Sequence, residues 1–256
     1  MSDKLKKLRD QIDGLDDQIQ TLISERAKIA QEVATTKQAS DDEVYYRAER
    51  EAEVLRKVMA RNKGPLSDEE IARLFREIMS ACLALEQVMT IAFLGPEGTF
   101  TQAAALKHFG HSVITNPMAT ISDVFREVES GAASYGVVPV ENSTEGVINH
   151  TLDEFMISSL MICGEVALRI HHHLLGKHED IKATKKVYSH QQSLAQCRKW
   201  LDTHLPNVEL HDVSSNAEAA RLAKNESGAA AIAGEAAADI YDLNLISHNI
   251  EDEPDN

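Results

Sequence analysis
The first forty residues constrain the fold most. Leu5, Leu8, Ile12, Leu15, Ile19 and Leu22 recur at alternating three- and four-residue steps, the seam of a coiled coil. The pattern runs on to about Gln38 and predicts a single helix of about 36 residues, ~54 Å long at ~1.5 Å per residue. Ser40, Asp41 and Asp42 offer caps for a second helix over about 43–62. Asn62-Lys63-Gly64-Pro65 ends it with Gly and Pro as stop signals. Ser67 with Glu70 reads as the capping box of a third helix over about 68–89. Two short helices cannot cover so long a seam. A homodimer that pairs the long helices is the expected solution.

After Met89 the chain changes character. Residues 1–89 hold two glycines and one proline, and residues 90–256 hold ten and five. The first part carries 15 basic and 18 acidic residues and the second 11 and 23. This shift predicts an all-α domain over 1–89 followed by an α/β domain over 90–256. Strand signals fall at Ile91–Leu94, Val113–Thr115, Tyr135–Val140, Met161–Ile170, Val187–Ser189, Val208–Val213 and Ala229–Ala233. Helical patterns at 102–109, 122–130, 192–203, 216–224 and 235–241 lie between most of them, the rhythm of βαβ units. So many strands suit two lobes with a cleft.

The net charge of −15 argues against general nucleic-acid binding. No uncharged apolar run reaches the roughly 18–20 residues that span a bilayer, so no membrane partner is expected. Cys82, Cys163 and Cys197 are odd in number and widely spaced, as reduced thiols of a cytoplasmic protein are. In His171-His172-His173 strand alternation puts the middle ring on the opposite face. No carboxylate or cysteine spacing completes a metal site there.

Charged residues stand where the helical pattern wants apolar ones. The seam continues past Leu22 to Arg26, then Ile29 and Val33. An arginine there is costly unless it meets an anion, either a ligand or an interhelical carboxylate. Lys37 lies three turns on, nearly on the same face. Arg9 stands seventeen residues from Arg26, or ~25 Å along the axis, so one helix cannot bring both to one small ligand. In the third helix Ile71, Phe75, Ile78 and Cys82 form a stripe that Glu86 continues. A carboxyl on that face is desolvated and favours its protonated, donor form. Arg47 and Glu51 are four apart and share a face, which by itself fits a solvated ion pair.

Together these residues make residues 1–89 resemble the all-helical type of chorismate mutase. The resemblance rests on Leu8-Arg9-Asp10-Gln11-Ile12-Asp13, Ser24-Glu25-Arg26 with Lys37, Arg50-Glu51, and Arg73-Leu74-Phe75 leading to Glu86-Gln87. It implies the pericyclic rearrangement of chorismate to prephenate, with no cofactor and no covalent intermediate. Its catalysis is conformational restraint plus preorganised charge. By resemblance Arg9 and Arg26 hold the carboxylates, and Lys37 donates to a carboxylate and the ether oxygen. Glu51 accepts from the ring hydroxyl, and Glu86 donates to the ether oxygen. Lys37 and Glu86 are the implied catalytic pair. Arg50 belongs to the matching motif, and Arg47 and Cys82 are expected to line the pocket on helical geometry alone.

In the second part, strand Ile91–Leu94 runs into Gly95-Pro96-Glu97-Gly98-Thr99-Phe100-Thr101, a glycine loop that opens a helix. Tyr135–Val140 ends in Glu141-Asn142-Ser143-Thr144, polar residues at the end of a strand where α/β folds place ligands. Ser189-His190-Gln191 follows another strand, with Gln196 and Cys197 one to two turns on. These motifs resemble a prephenate dehydratase domain, and both parts together resemble the bifunctional enzyme of phenylalanine biosynthesis. The implied reaction expels carbon dioxide and hydroxide from prephenate and gives phenylpyruvate. Thr99, Thr101, Glu141, Asn142, Ser143, Thr144, Ser189 and Gln196 are the expected lining. The family carries a Thr-Arg-Phe motif just after a segment like Glu253-Pro254-Asp255-Asn256, and then a phenylalanine-sensing ACT domain. The expectation is therefore of a truncated chain. The alternative is a mutase whose second domain only binds small molecules.

Overall fold
A computed structural model of the chain describes residues 3–39, 46–142 and 146–253. It divides into two compact units. One is Met1–Met89 with Phe109–Ile114, and the other is Thr90–His108 with Thr115–Asn256.

The helical unit has three helices: α1 (Asp3–Ala39), α2 (Ala48–Arg61) and α3 (Asp68–Ala84). The proposed caps at Ser40, Asp41 and Asp42 lie outside the described residues. Ser67 caps α3 by accepting from the Glu70 backbone N–H at 3.2 Å, as the capping box predicts. α3 is shorter than its apolar pattern. The N–H groups of Leu85 and Glu86 turn onto the Cys82 and Leu83 carbonyls at 3.2 and 2.9 Å, and the chain leaves the helix there. Glu86 thus stands in the closing turn of α3, not on the helix proper.

α1 packs on α3 through a face other than its apolar seam. Ala34 is buried, and Arg26, Ala27, Ala30 and Lys37 are half-buried. Leu5, Leu8, Ile12, Leu15, Ile19 and Leu22 remain 40–63% exposed, and Ile29 and Val33 are exposed too. At ~100° per residue, Arg26 and Lys37 sit between the packed alanine face and the open seam.

The α/β unit begins with β1 (Thr90–Leu94), α4 (Phe100–Phe109), β2 (Ile114–Met118), α5 (Ile121–Glu129) and β3 (Tyr135–Val137). They give a three-stranded sheet in the order β2-β1-β3, with β1 and β3 parallel. The two-residue strands β4 (Glu141–Asn142) and β5 (Gly146–Val147) pair with each other and lead into α6 (Asn149–Ile157). Then come β6 (His173–Gly176), β7 (Lys186–Ser189), α7 (Gln191–Gln196), α8 (Arg198–His204), β8 (Glu209–Asp212), α9 (Asn216–Asn225), β9 (Ala229–Ala233), α10 (Glu235–Tyr241) and β10 (Asn244–Ser247). The second sheet runs β10-β6-β9-β7-β8. β7 is parallel to β8 and β9, and β6 runs antiparallel between β9 and β10.

Every residue of β9 is buried, five residues of which four are alanine, and α9 packs on it through Ala219, Ala220 and Ala223. Small side chains on both elements let helix and strand approach closely, which explains how an alanine-rich run makes a central strand. Two expectations fail. Met161–Ile170 is not a strand: it lies in a stretch without regular structure, and Met161 and Ile162 are largely exposed. An apolar run makes a core strand only when a ladder and a core receive it, and here the buried strand begins at His173. The single helix at 192–203 is two, broken at Cys197. α6, β6 and β10 carry no pattern strong enough to announce them. Of the free cysteines, Cys82 and Cys197 are buried and Cys163 is exposed. Among the described residues no helix is long and apolar enough to cross a membrane.

Candidate functional site
In the helical unit, α3 and its closing turn carry Cys82 and Glu86, α1 carries Arg26 and Lys37, and α2 carries Glu51. Burial pushes the Glu86 carboxyl above its ordinary value, and the Lys37 charge opposes that shift. Lys37 and Glu86 therefore feel each other across one region. Lys37 also borders a groove of about 320 Å³ with Ile29, Glu32, Val33 and Thr36. Glu51 does not form the ion pair with Arg47 that helix spacing suggests. It faces Arg76 of α3, Oε1 to Nε 3.5 Å, and the Glu51 side chain is 17% exposed. Burial raises the Glu51 pKa, while Arg76 and a hydrogen bond from Tyr46 lower it. Arg47 is exposed ahead of α2. Arg50 is exposed and pairs with Glu53 at 2.7 Å, so its head is held on the surface. Arg9 is exposed on the first turns of α1, about 25 Å from Arg26 along the axis. Arg76 is the residue the sequence did not single out. Only the fold shows that it meets Glu51, since the two lie on different helices.

The α/β unit holds a cleft of about 220 Å³. Thr99 and Thr101 enter it from the loop and first turn of α4, Asn142 from β4 and Gln196 from the end of α7. The loop is shaped locally. Gly98 takes φ +85, a backbone conformation that favours glycine, and its N–H donates to Gln102 Oε1 at 2.7 Å. The Thr99 hydroxyl donates to the Leu94 carbonyl at 3.2 Å. Across the cleft, Gln192 Nε2 donates to Asn142 Oδ1 at 3.4 Å.

Two expected lining residues sit elsewhere. Ser189 is wholly buried. Its hydroxyl lies 2.9 Å from Asn216 Oδ1 and 3.0 Å from the Ile232 carbonyl, because β7 is an interior strand between β9 and β8 and this side chain is turned onto its neighbours. Ser189 therefore shapes the cleft from beneath, through Asn216. Glu141 is exposed and outside the lining, since alternation along β4 gives the inner place to Asn142. Ser143 and Thr144 lie outside the described residues.

The sequence reading missed His172, Ser193, Ser215 and Asn216, all of which border the cleft. Asn216 is a bracket: Oδ1 accepts from the His190 backbone N–H at 3.0 Å, and Nδ2 donates to Ser193 at 2.8 Å. The cleft is lined by hydroxyls, amides and imidazoles, with no lysine or arginine among the described lining residues. The first turns of α4 and α9 also border it, and their backbone N–H groups favour anions. Among the described residues no group of three or more His, Cys, Asp or Glu could hold a metal ion.

Comparison with known proteins gives two family matches. Residues 8–87 match chorismate mutase type II, and residues 91–256 match prephenate dehydratase. A bifunctional chorismate mutase/prephenate dehydratase of Stutzerimonas stutzeri is 62% identical over 260 residues, covering all of this chain and 71% of that protein. The chain belongs to this bifunctional family. The Pseudomonas aeruginosa relative is 61% identical, over 99% of this chain and 71% of its own length. The chain thus spans about seven-tenths of the length of these relatives. A solved prephenate dehydratase from Arthrobacter aurescens, in complex with L-Phe, aligns with TM-score 0.59 at 34% identity. That alignment covers 65% of this chain and 57% of the other. The chain carries the regions of an isomerase and of a lyase, in that order, and nothing in these matches favours a mutase-only protein.

Proposed function
We propose that this chain rearranges chorismate to prephenate in its helical unit and converts prephenate to phenylpyruvate in its α/β unit, within phenylalanine biosynthesis. The observation that carries the reading is that each family region coincides with a unit gathering the polar groups its reaction needs. The experiment is one sample assayed twice, for chorismate disappearance and for phenylpyruvate formation from prephenate. Failure of either assay removes that half of the reading.

In the mutase step no group is transferred: one carbon–oxygen bond breaks as one carbon–carbon bond forms within chorismate. The work left to the protein is to hold the reactive conformer and to meet charge at the ether oxygen. Arg26 with Arg9 grips the carboxylates, and Lys37 and Glu86 donate toward the ether oxygen. Glu51, held by Arg76, accepts from the ring hydroxyl. Cys82 and Arg47 complete the surroundings, while Arg50 stays paired with Glu53 on the surface. Since Arg9 and Arg26 are about 25 Å apart on one helix, the pair is assembled across a twofold homodimer of antiparallel α1 helices. The open seam of α1 supports this arrangement, because six large apolar side chains from Leu5 to Leu22 otherwise face water. A cytoplasmic setting fits the unpaired cysteines.

Glu86 sets the pH dependence. It donates only while protonated, and burial holds its pKa above the ordinary value. Mutase turnover is expected to fall as pH rises through that raised value, and Glu86→Gln to flatten the fall. Superimposed pH–rate profiles of the two proteins would take the donor role from Glu86.

In the dehydratase step the ring carboxylate leaves as carbon dioxide. The hydroxyl leaves with a proton as water, and the ring becomes aromatic. The cleft has to receive a dianion and supply that proton. Thr99, Thr101, Asn142 and Gln196 are the groups proposed to meet the substrate.

A further inference from the structure
We propose that the turn at residues 248–252 is an acid-sensitive clasp behind the dehydratase cleft: neutral His173 holds it closed against the start of β6, and a proton on His173 lets it open. Its link to the cleft rests on the site proposed above; the clasp itself does not.

The turn crosses the first residues of β6 and is fastened there by acceptors. The Asn249 N–H donates to His173 Nδ1 at 3.1 Å, and the Ile250 N–H to the His172 carbonyl at 2.8 Å. Asn249 takes φ +49, a left-handed conformation that disfavours residues with a side chain, asparagine least. Ile250 is wholly buried and packs in the core with Leu174, Val187 and Leu201. Glu251 Oε2 accepts from the His172 N–H at 2.9 Å, and Oε1 lies 2.7 Å from His171 Nδ1. The Asp252 N–H donates to the Gln196 carbonyl at 2.7 Å. The clasp thus fixes the backbone of His172 and Gln196, two residues that border the cleft.

One of these bonds depends on protonation. An imidazole nitrogen accepts only while it is bare, so the Asn249 bond needs Nδ1 without its proton. A proton there sets N–H against N–H. The surroundings strengthen the effect. The His248 and His171 rings lie 5.6 and 6.4 Å from the His173 ring, so acid gathers positive charge around it. Burial above all holds His173 below its ordinary pKa; Glu235 and Glu251 oppose the shift, and His248 and His171 add to it. The bond is therefore complete above the ordinary histidine value of about 6.5 and is lost as pH falls from there through the lowered value.

The Glu251 end behaves differently. Burial works against its charge, yet the bonds from His171 and the His172 N–H hold the carboxyl below its ordinary value. It stays charged in mild acid, and a protonated His171 only tightens that pair. Acid thus opens the clasp from its Asn249 end, and the His172 carbonyl loses the Ile250 N–H.

Hydrogen exchange on the 256-residue chain tests the clasp. Corrected for the intrinsic pH dependence of exchange, the Asn249 and Ile250 amides are expected to lose about tenfold of their protection between about pH 7.5 and about pH 5. His173→Asn returns an acceptor near the Nδ1 position that does not titrate, and should stay protected at both. His173→Leu removes the acceptor and should be open at both, with β9 amides reporting that the fold is intact. Equal wild-type protection at the two pH values, an Asn variant that opens in acid as wild type does, or a folded Leu variant as protected as wild type overturns the clasp. A Leu variant that does not fold leaves the decision to wild type and the Asn variant. Phenylpyruvate, the product that is not turned over, tests the link to the cleft. At about ten times its Kd it should raise wild-type protection of the same amides about tenfold, as a ligand of the closed form does. Binding without that gain overturns the link. A chain that binds neither prephenate nor phenylpyruvate fails the site reading instead, and the exchange result still decides the clasp.

Discussion
Arg9→Ala and Arg26→Ala are each expected to turn over chorismate at about a hundredth of the wild-type rate or less, since loss of one preorganised charge costs ~10²–10³. Unfolded and refolded together, the two should recover about a quarter of wild-type activity, because random pairing leaves that share of twofold-related sites whole. In a mixed dimer one site lacks both arginines and the other keeps both. The result depends on the ~25 Å that separates the two side chains along α1. Mixing without unfolding is the control and should restore little if subunits exchange slowly. A refolded mixture no more active than the parents' average, with mixed dimers confirmed by mass, would mean that each site is built from a single chain.

Asn142→Ala is expected to lower phenylpyruvate formation about 100-fold, the scale for removing one well-placed polar contact from a reacting site. Chorismate turnover by the same chain should stay at the wild-type rate, because Asn142 lies in the α/β unit. Measuring both rates on one preparation cancels errors of concentration. Equal loss of both activities would point to misfolding, and no loss of either would remove Asn142 from the site.

The helical unit was largely legible because its signals are local. The spacing of Leu5 to Leu22 belongs to one helix, and the cap at Ser67 is decided by a neighbour three residues away. Glu86 was found by continuing a helical stripe, although the helix itself ends at Ala84. Arg76 was invisible, since its meaning comes from Glu51 on another helix. In the α/β unit the strand ends pointed to Thr99 and Asn142, which border the cleft, and Gln196 was reached through the helix that follows a strand. Ser189 was misplaced because a strand-end position does not reveal which side of the sheet is central. His172 was set aside with its neighbours as a histidine run. What places it at the cleft is contact with Gln196 and with residues 250–252, pairings across sequence that no periodicity encodes.

The three thiols also make the chain its own folding gauge. Only Cys163 is open to solvent, while Cys82 reports on the helical unit and Cys197 on the α/β unit. Burial further raises the Cys197 pKa, which keeps it from the reactive thiolate form. A maleimide dye should therefore attach once to the native protein and three times in denaturant. Peptide mapping at intermediate denaturant would show which buried thiol reacts first, and so which of the two enzymes comes apart before the other.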